Sequence, residues 1–98
     1  MYVRITKLTF DPVNYDAMIN FRDNTIVPKL NEMRLQDLIW VRTFRASDSE
    51  VMTPAGYNTK ENYEADVPKT DEMMGGMAQW LTAPPEKWAG ELEELYEA

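Results

Sequence analysis

Neither histidine nor cysteine occurs in the 98 residues. That excludes a histidine general base, a histidine-carboxylate metal site, a thiolate site, a haem held by a proximal histidine and any disulfide framework. The residues left with chemical potential are arginine, tyrosine, asparagine, the carboxylates and a large set of aromatics. Arg42 is the sharpest of them, because alternation places it on one strand face with Leu38, Trp40 and Phe44. A guanidinium among apolar side chains needs a partner to offset its lost hydration. A substrate anion would serve, and so would an acidic residue such as Glu94. Asn58 could hold a substrate oxygen, although with Glu61 three residues later it also has the form of a helix capping box. Trp40, Tyr57, Tyr63, Trp80 and Trp88 could wall an apolar pocket, or could simply be core, which aromatics dominate in small domains. Asn20 and Asn24 lie four apart on one helix and could reach one pocket or a solvated face. Glu91, Glu93, Glu94 and Glu97 lack metal-ligand spacing and read as a solvated face, so no metal is expected.

The elements that would position these groups follow from periodicity. Tyr2 to Phe10 alternates as a strand with Val3 and Ile5 on one face and Tyr2, Leu8 and Phe10 on the other. Asp11-Pro12 has the form of a helix start, and a helix over about 12–32 follows, with Pro28 expected to kink or break it. A strand over Leu38 to Arg45, a turn at Ala46-Ser47-Asp48-Ser49 and a returning strand over Val51 to Tyr57 make a hairpin. Pro54 and Gly56 suggest an edge or a bulge in the returning strand. A second helical region opens at about Thr59, is interrupted at Pro68 and resumes with the apolar stripe Met73, Met74, Met77, Trp80 and Leu81, loosened at Gly75-Gly76. Beyond Pro84-Pro85 local propensity favours a helix, whereas the order β-α-β-β-α calls for a fourth strand to complete a split βαβ sheet.

The length fits one domain spanning residues 1–98, and an apolar fraction of 44% with eleven aromatics (three Trp, five Tyr and three Phe) suffices for a core. The net charge of −7 argues against nucleic acid and anionic lipid surfaces as partners. No apolar run approaches the ~20 residues of a membrane span and no signal-peptide pattern opens the chain, so a cytoplasmic location is expected. Apolar side chains on both faces of the strands leave one face that two helices cannot shield. A second copy of the chain, paired sheet to sheet, is the expected cover and predicts a homodimer.

Several short motifs carry a family likeness: Met1-Tyr2-Val3-Arg4-Ile5 at the start, Ile26-Val27-Pro28 late in the first helix, Tyr57-Asn58-Thr59-Lys60-Glu61 after the third strand, and Ala83-Pro84-Pro85 leading to Leu95-Tyr96-Glu97. With the order of elements, they resemble the antibiotic biosynthesis monooxygenase-like family. The resemblance implies an α+β, ferredoxin-like βαββαβ chain with a four-stranded antiparallel sheet, paired as a dimeric α/β barrel, and it favours a strand at the C-terminus. It also implies a monooxygenase acting without a cofactor on a small aromatic or quinol-like substrate, whose deprotonated form supplies the electrons. On that reading Arg42, Tyr57 and Asn58 act in catalysis, while Trp40, Tyr63, Trp80 and Trp88 bind substrate. The alternative is a non-catalytic dimer of the same fold that binds a small ligand or serves as an accessory protein.

Overall fold

The computed structural model describes residues 1–33, 35 and 37–98. β1 (Tyr2–Thr9) enters the sheet first, and Asp11 then accepts a hydrogen bond from the Val13 N–H at 3.0 Å to start a helical stretch with Pro12 at its first position. That stretch runs through α1 (Tyr15–Phe21), a π-helical segment (Arg22–Ile26) and α2 (Val27–Met33). Pro28 neither breaks nor ends it. The wide turn before it bonds the Val27 N–H to the Arg22 carbonyl, five residues back, and Pro28 then occupies an early position of α2 where its missing N–H is tolerated.

The expected second strand is two strands, β2 (Leu38–Val41) and β3 (Phe44–Ser47), both paired with β4 (Glu50–Tyr57). The sheet therefore has five strands instead of four, in the order β2-β4-β1-β5 with β3 beside β4 below β2. Pro54 explains the split. Its carbonyl accepts from the Arg42 N–H at 2.9 Å, and since N–H and C=O of one residue point to the same side of an antiparallel strand, its missing donor faces the gap between β2 and β3. β4 is thus central, not an edge, and the irregularity sits in its partner.

A second irregularity, between Leu38 and Trp40, changes which side chains share a face. Leu38 stands opposite Tyr57, while Trp40 stands opposite Gly56 and Val41 opposite Ala55. Trp40 therefore lies on the outer face and Leu38 on the helix-covered face, so the four-residue face expected from simple alternation does not form. Gly56 is required there, because a Cβ would fall 2.7 Å from the Trp40 ring.

α3 (Lys60–Met74) is continuous through Pro68. Pro68 and Glu64, whose carbonyl loses its donor, are both exposed, so water can satisfy the gap. The helix starts on Thr59, whose hydroxyl accepts from the Asn62 N–H at 3.1 Å, and not on Asn58. It tightens into a 3-10 segment (Gly75–Trp80), where Gly76 admits the Phe21 ring at 2.7 Å from a hypothetical Cβ. The last element is β5 (Glu86–Glu91), antiparallel to β1, which decides for a strand after Pro85; residues 92–98 carry no regular structure. The helices cover one face of the sheet over a core of Leu8, Phe10, Met18, Ile26, Val51, Met73 and Met77. Among the described residues no helix is long and apolar enough to cross a membrane.

The cap assignment is testable. Thr59→Ala should lower unfolding free energy by about 1 kcal/mol, while Asn58→Ala should stay within about 0.5 kcal/mol, both read from urea denaturation.

Candidate functional site

β1 and β4 pair in register from Tyr2 opposite Tyr57 to Thr9 opposite Glu50. Their pleats therefore aim Arg4, Thr6 and Leu8 of β1 and Val51, Thr53 and Tyr57 of β4 at the helices. These six residues belong to the lining of a cavity of about 310 Å³ between the sheet and the helical layer. Met18 of α1, Ile26 of the π segment, Leu30 of α2, Met73 of α3 and Met77 of the 3-10 segment close the other side. The volume lies at the lower end of the ~300–1,000 Å³ of small-molecule sites, and the wall is mainly apolar with a few convergent polar groups.

The polar groups are concentrated on the floor. Arg4 is only 8% exposed and Thr6 only 4%, and among the described residues neither the Arg4 Nε nor the Thr6 hydroxyl has a hydrogen-bond partner. Leaving a buried polar group unpaired costs about 1–3 kcal/mol, more when it is charged, so two such groups on successive inward positions of one strand are a conspicuous feature. Tyr57 lines the same floor near Arg4 and is 1% exposed. Burial raises its phenol above the ordinary tyrosine value, the Arg4 charge opposes that rise, and Asp66 and Tyr63 add to it. The phenol thus stays protonated at neutral pH and can donate a hydrogen bond.

The structure brings only part of the expected site together. Tyr57 lines the cavity. Arg42 borders it, but its guanidinium lies 4.6 Å from the centre of the exposed-face Trp40 ring, and none of the ion pairs among the described residues joins it to Glu94, which lies beside Glu97 instead. Tyr63 stands behind Tyr57, with ring centres 5.6 Å apart, and also contacts Tyr2 at 5.3 Å. Trp80 is partly buried against the core, edge-on to Phe21 at 5.2 Å. Trp88, paired with Ile5 and 53% exposed, lies on the far face of the sheet, and Asn58 is exposed outside the cavity. Asn24 donates to the Asn20 side chain at 2.6 Å, and both are solvated.

Arg4 and Thr6 are the groups that the sequence reading passed over. Their signal was present, since both share the parity of Tyr2, Leu8 and Phe10, the face already read as apolar. A charged and a hydroxyl residue inside that run mark polar groups directed at the core.

No protein-family model matches the sequence. No curated protein matches it either. Solved structures do match. A monooxygenase from Streptomyces coelicolor, solved in complex with the ligand Nanaomycin D, superposes with a TM-score of 0.80 at 12% identity, over 99% of this chain and 91% of that one. A structure described as an antibiotic biosynthesis monooxygenase gives 0.74 at 8% identity, over 96% and 100% of the two chains. A protein of unknown function from Nitrosomonas europaea gives 0.76 at 15% identity, over 99% and 93%. The chain therefore has the ferredoxin-like α+β fold of the antibiotic biosynthesis monooxygenases. At these identities the likeness is one of fold.

The raised phenol of Tyr57 predicts a pH effect on stability. A group whose pKa is higher in the folded than in the unfolded chain contributes stability that is present below the unfolded value and is lost as pH rises through the folded one. Unfolding free energy should therefore fall above pH 10.0, the ordinary tyrosine value, and the fall should be shallower in Tyr57→Phe, as measured by denaturation across that range.

Proposed function

We propose that the protein is a monooxygenase that oxidises a small phenolic or quinol-like aromatic in the cavity between sheet and helices, without a metal or organic cofactor. The observation that carries this reading is the apolar cavity whose only deeply buried charge, among the described residues that line it, is the Arg4 guanidinium beside a protonated Tyr57. Oxidation of an electron-rich ring by dioxygen needs few protein groups. The ionised substrate supplies the electrons, one oxygen atom bonds to the ring carbon that loses its hydrogen, and the other leaves as water. In sum, a phenol and O₂ become a quinone and H₂O, with dioxygen taking up four electrons. The protein must exclude bulk water, hold the ring and stabilise the negative charge, which the apolar wall and the donors on the floor are suited to do. The fold shared with the Streptomyces coelicolor monooxygenase supports the same assignment.

We further propose that the working unit is a homodimer paired through the outer sheet face. Val3 and Ile5 of β1, Trp40 and Phe44 of the split strand, Met52 and Pro54 of β4 and Trp88 of β5 form that face. Phe44 is 56% exposed in the single chain. Apolar patches larger than a few hundred Å² are uncommon on monomers, and a two-fold pairing of this face with itself would cover it. Lys7, bonded to Glu50 at 2.9 Å and Glu86 at 3.2 Å, ties three strands together on the same face.

Oxygen consumption with a panel of hydroquinones and naphthols tests the activity. The expected result is turnover that falls at least about tenfold in Tyr57→Phe, the usual scale for a group aimed at developing charge. Saturable binding without oxygen uptake for the whole panel would instead identify a non-catalytic binding protein. For assembly, sedimentation should give a dimer at micromolar concentration, converted to monomer in Phe44→Glu/Trp88→Glu.

A further inference from the structure

Two polar atoms on the cavity floor ask for the same kind of partner. The Arg4 Nε can only donate, and the Thr6 hydroxyl can donate to whatever accepts from Arg4. Both are buried, both lack a partner among the described residues, and both line the cavity at adjacent inward positions of β1. An acceptor that satisfied them would also face a fixed positive charge in a mainly apolar cavity, which favours an anion over a neutral group.

The rest of the lining agrees with that charge. Acidic residues outnumber basic ones 17 to 10 in the chain, yet among the described residues the cavity is lined by Arg4, Arg22 and Arg42 and by no aspartate or glutamate. Arg22 is offset by Asp23 at 2.8 Å and the Arg42 guanidinium is turned onto Trp40, which among the described lining residues leaves Arg4 as the cation available to a bound molecule. The titratable groups that act on the same corner are Tyr57 of β4 and Tyr63 and Asp66 of α3. Met18, Met73, Met74 and Met77 supply an adaptable wall for an apolar body.

We infer that Arg4 and Thr6 form an oxyanion seat, in which the Arg4 Nε–H and the Thr6 hydroxyl hold the oxygen of a phenol that ionises on binding. The inference rests on the aromatic-substrate reading above and deepens it. It assigns to Arg4, a residue on the first strand, the task of lowering the substrate's own pKa and so generating the electron-rich form at neutral pH. No protein base of matching strength is then required, because the proton is released once the bound oxygen is more stable as an anion.

The test uses para-nitrophenol, whose anion is yellow and whose neutral form is not, titrated by absorbance in the presence of saturating protein. The expected result is a bound-state pKa at least about one unit below that of the free probe, the scale set by a nearby opposite charge. The shift should vanish in Arg4→Met, shrink in Thr6→Val, and persist in Lys29→Met, which removes an equal charge from the surface of α2. Arg4→Met should fold, since an apolar chain of similar length replaces a buried cation. Should it not, Arg4→Gln decides the same question by removing the charge and keeping donors. A bound probe with an unshifted pKa, a shift that survives in the Arg4 variants, or a floor occupied only by water with no probe bound would each overturn the seat. Oxygen uptake separates the two readings: a shift without turnover removes the oxygenase and keeps the seat, and turnover without a shift does the reverse.

Discussion

The pairing of β1 with β4 is the constraint on which the rest of the molecule depends. Eight consecutive residue pairs, from Tyr2 opposite Tyr57 to Thr9 opposite Glu50, fix the register of the two central strands. Because side chains alternate with a period of two, a slip of one residue would exchange every inward group for an outward one. Arg4 and Thr6 would then face away from the helices, Val3 and Ile5 would enter the core, and Tyr57 would lose its position beside the guanidinium. The floor of the cavity and the outer apolar face are therefore set by the same register.

Two prolines illustrate how the sheet and the helical layer absorb local misfits without losing that frame. Pro54 keeps its place in the central strand because the strand beside it divides where the missing donor would have bonded. Pro28 keeps its place in a helical run because one wide turn precedes it. The π segment also borders the cavity. It contributes Arg22 and Ile26 to the cavity lining, and such widened turns are frequent at functional sites.

The division of labour between the two faces follows from chemistry. The helix-covered face combines methionine, leucine and valine with a few polar atoms, a composition suited to a small apolar ligand bearing one charged oxygen. The outer face carries Trp40, Trp88, Phe44, Met52 and Pro54 around the Lys7 ion pairs, a composition suited to another protein surface. The aromatics Trp40, Phe44 and Trp88 belong to the outer face, whereas Tyr63 lies behind the cavity and packs on Tyr57.

Much of the architecture was legible in the residues themselves. Alternation over Tyr2 to Phe10, the Asp11-Pro12 start and the methionine stripe of Met73 to Leu81 specify elements through period and capping, which are local properties. Apolar side chains on both strand faces were legible from the same alternation. The ambiguity after Pro85 could not be resolved locally, because Trp88, Leu92 and Leu95 suit a helix; hydrogen bonding to the free edge of β1 settles Glu86–Glu91 as a strand. The candidate site was the least legible part. Which face Arg42 occupies depends on an irregularity between Leu38 and Trp40, a property of the pairing with β4 and not of the β2 sequence. That Arg4 lies near Tyr57 on the cavity floor depends on register across a separation of some fifty residues. Composition and period determined the kinds of element and the apolar character of both sheet faces, whereas only tertiary pairing decided which charge is buried, because that choice is made by the strand opposite.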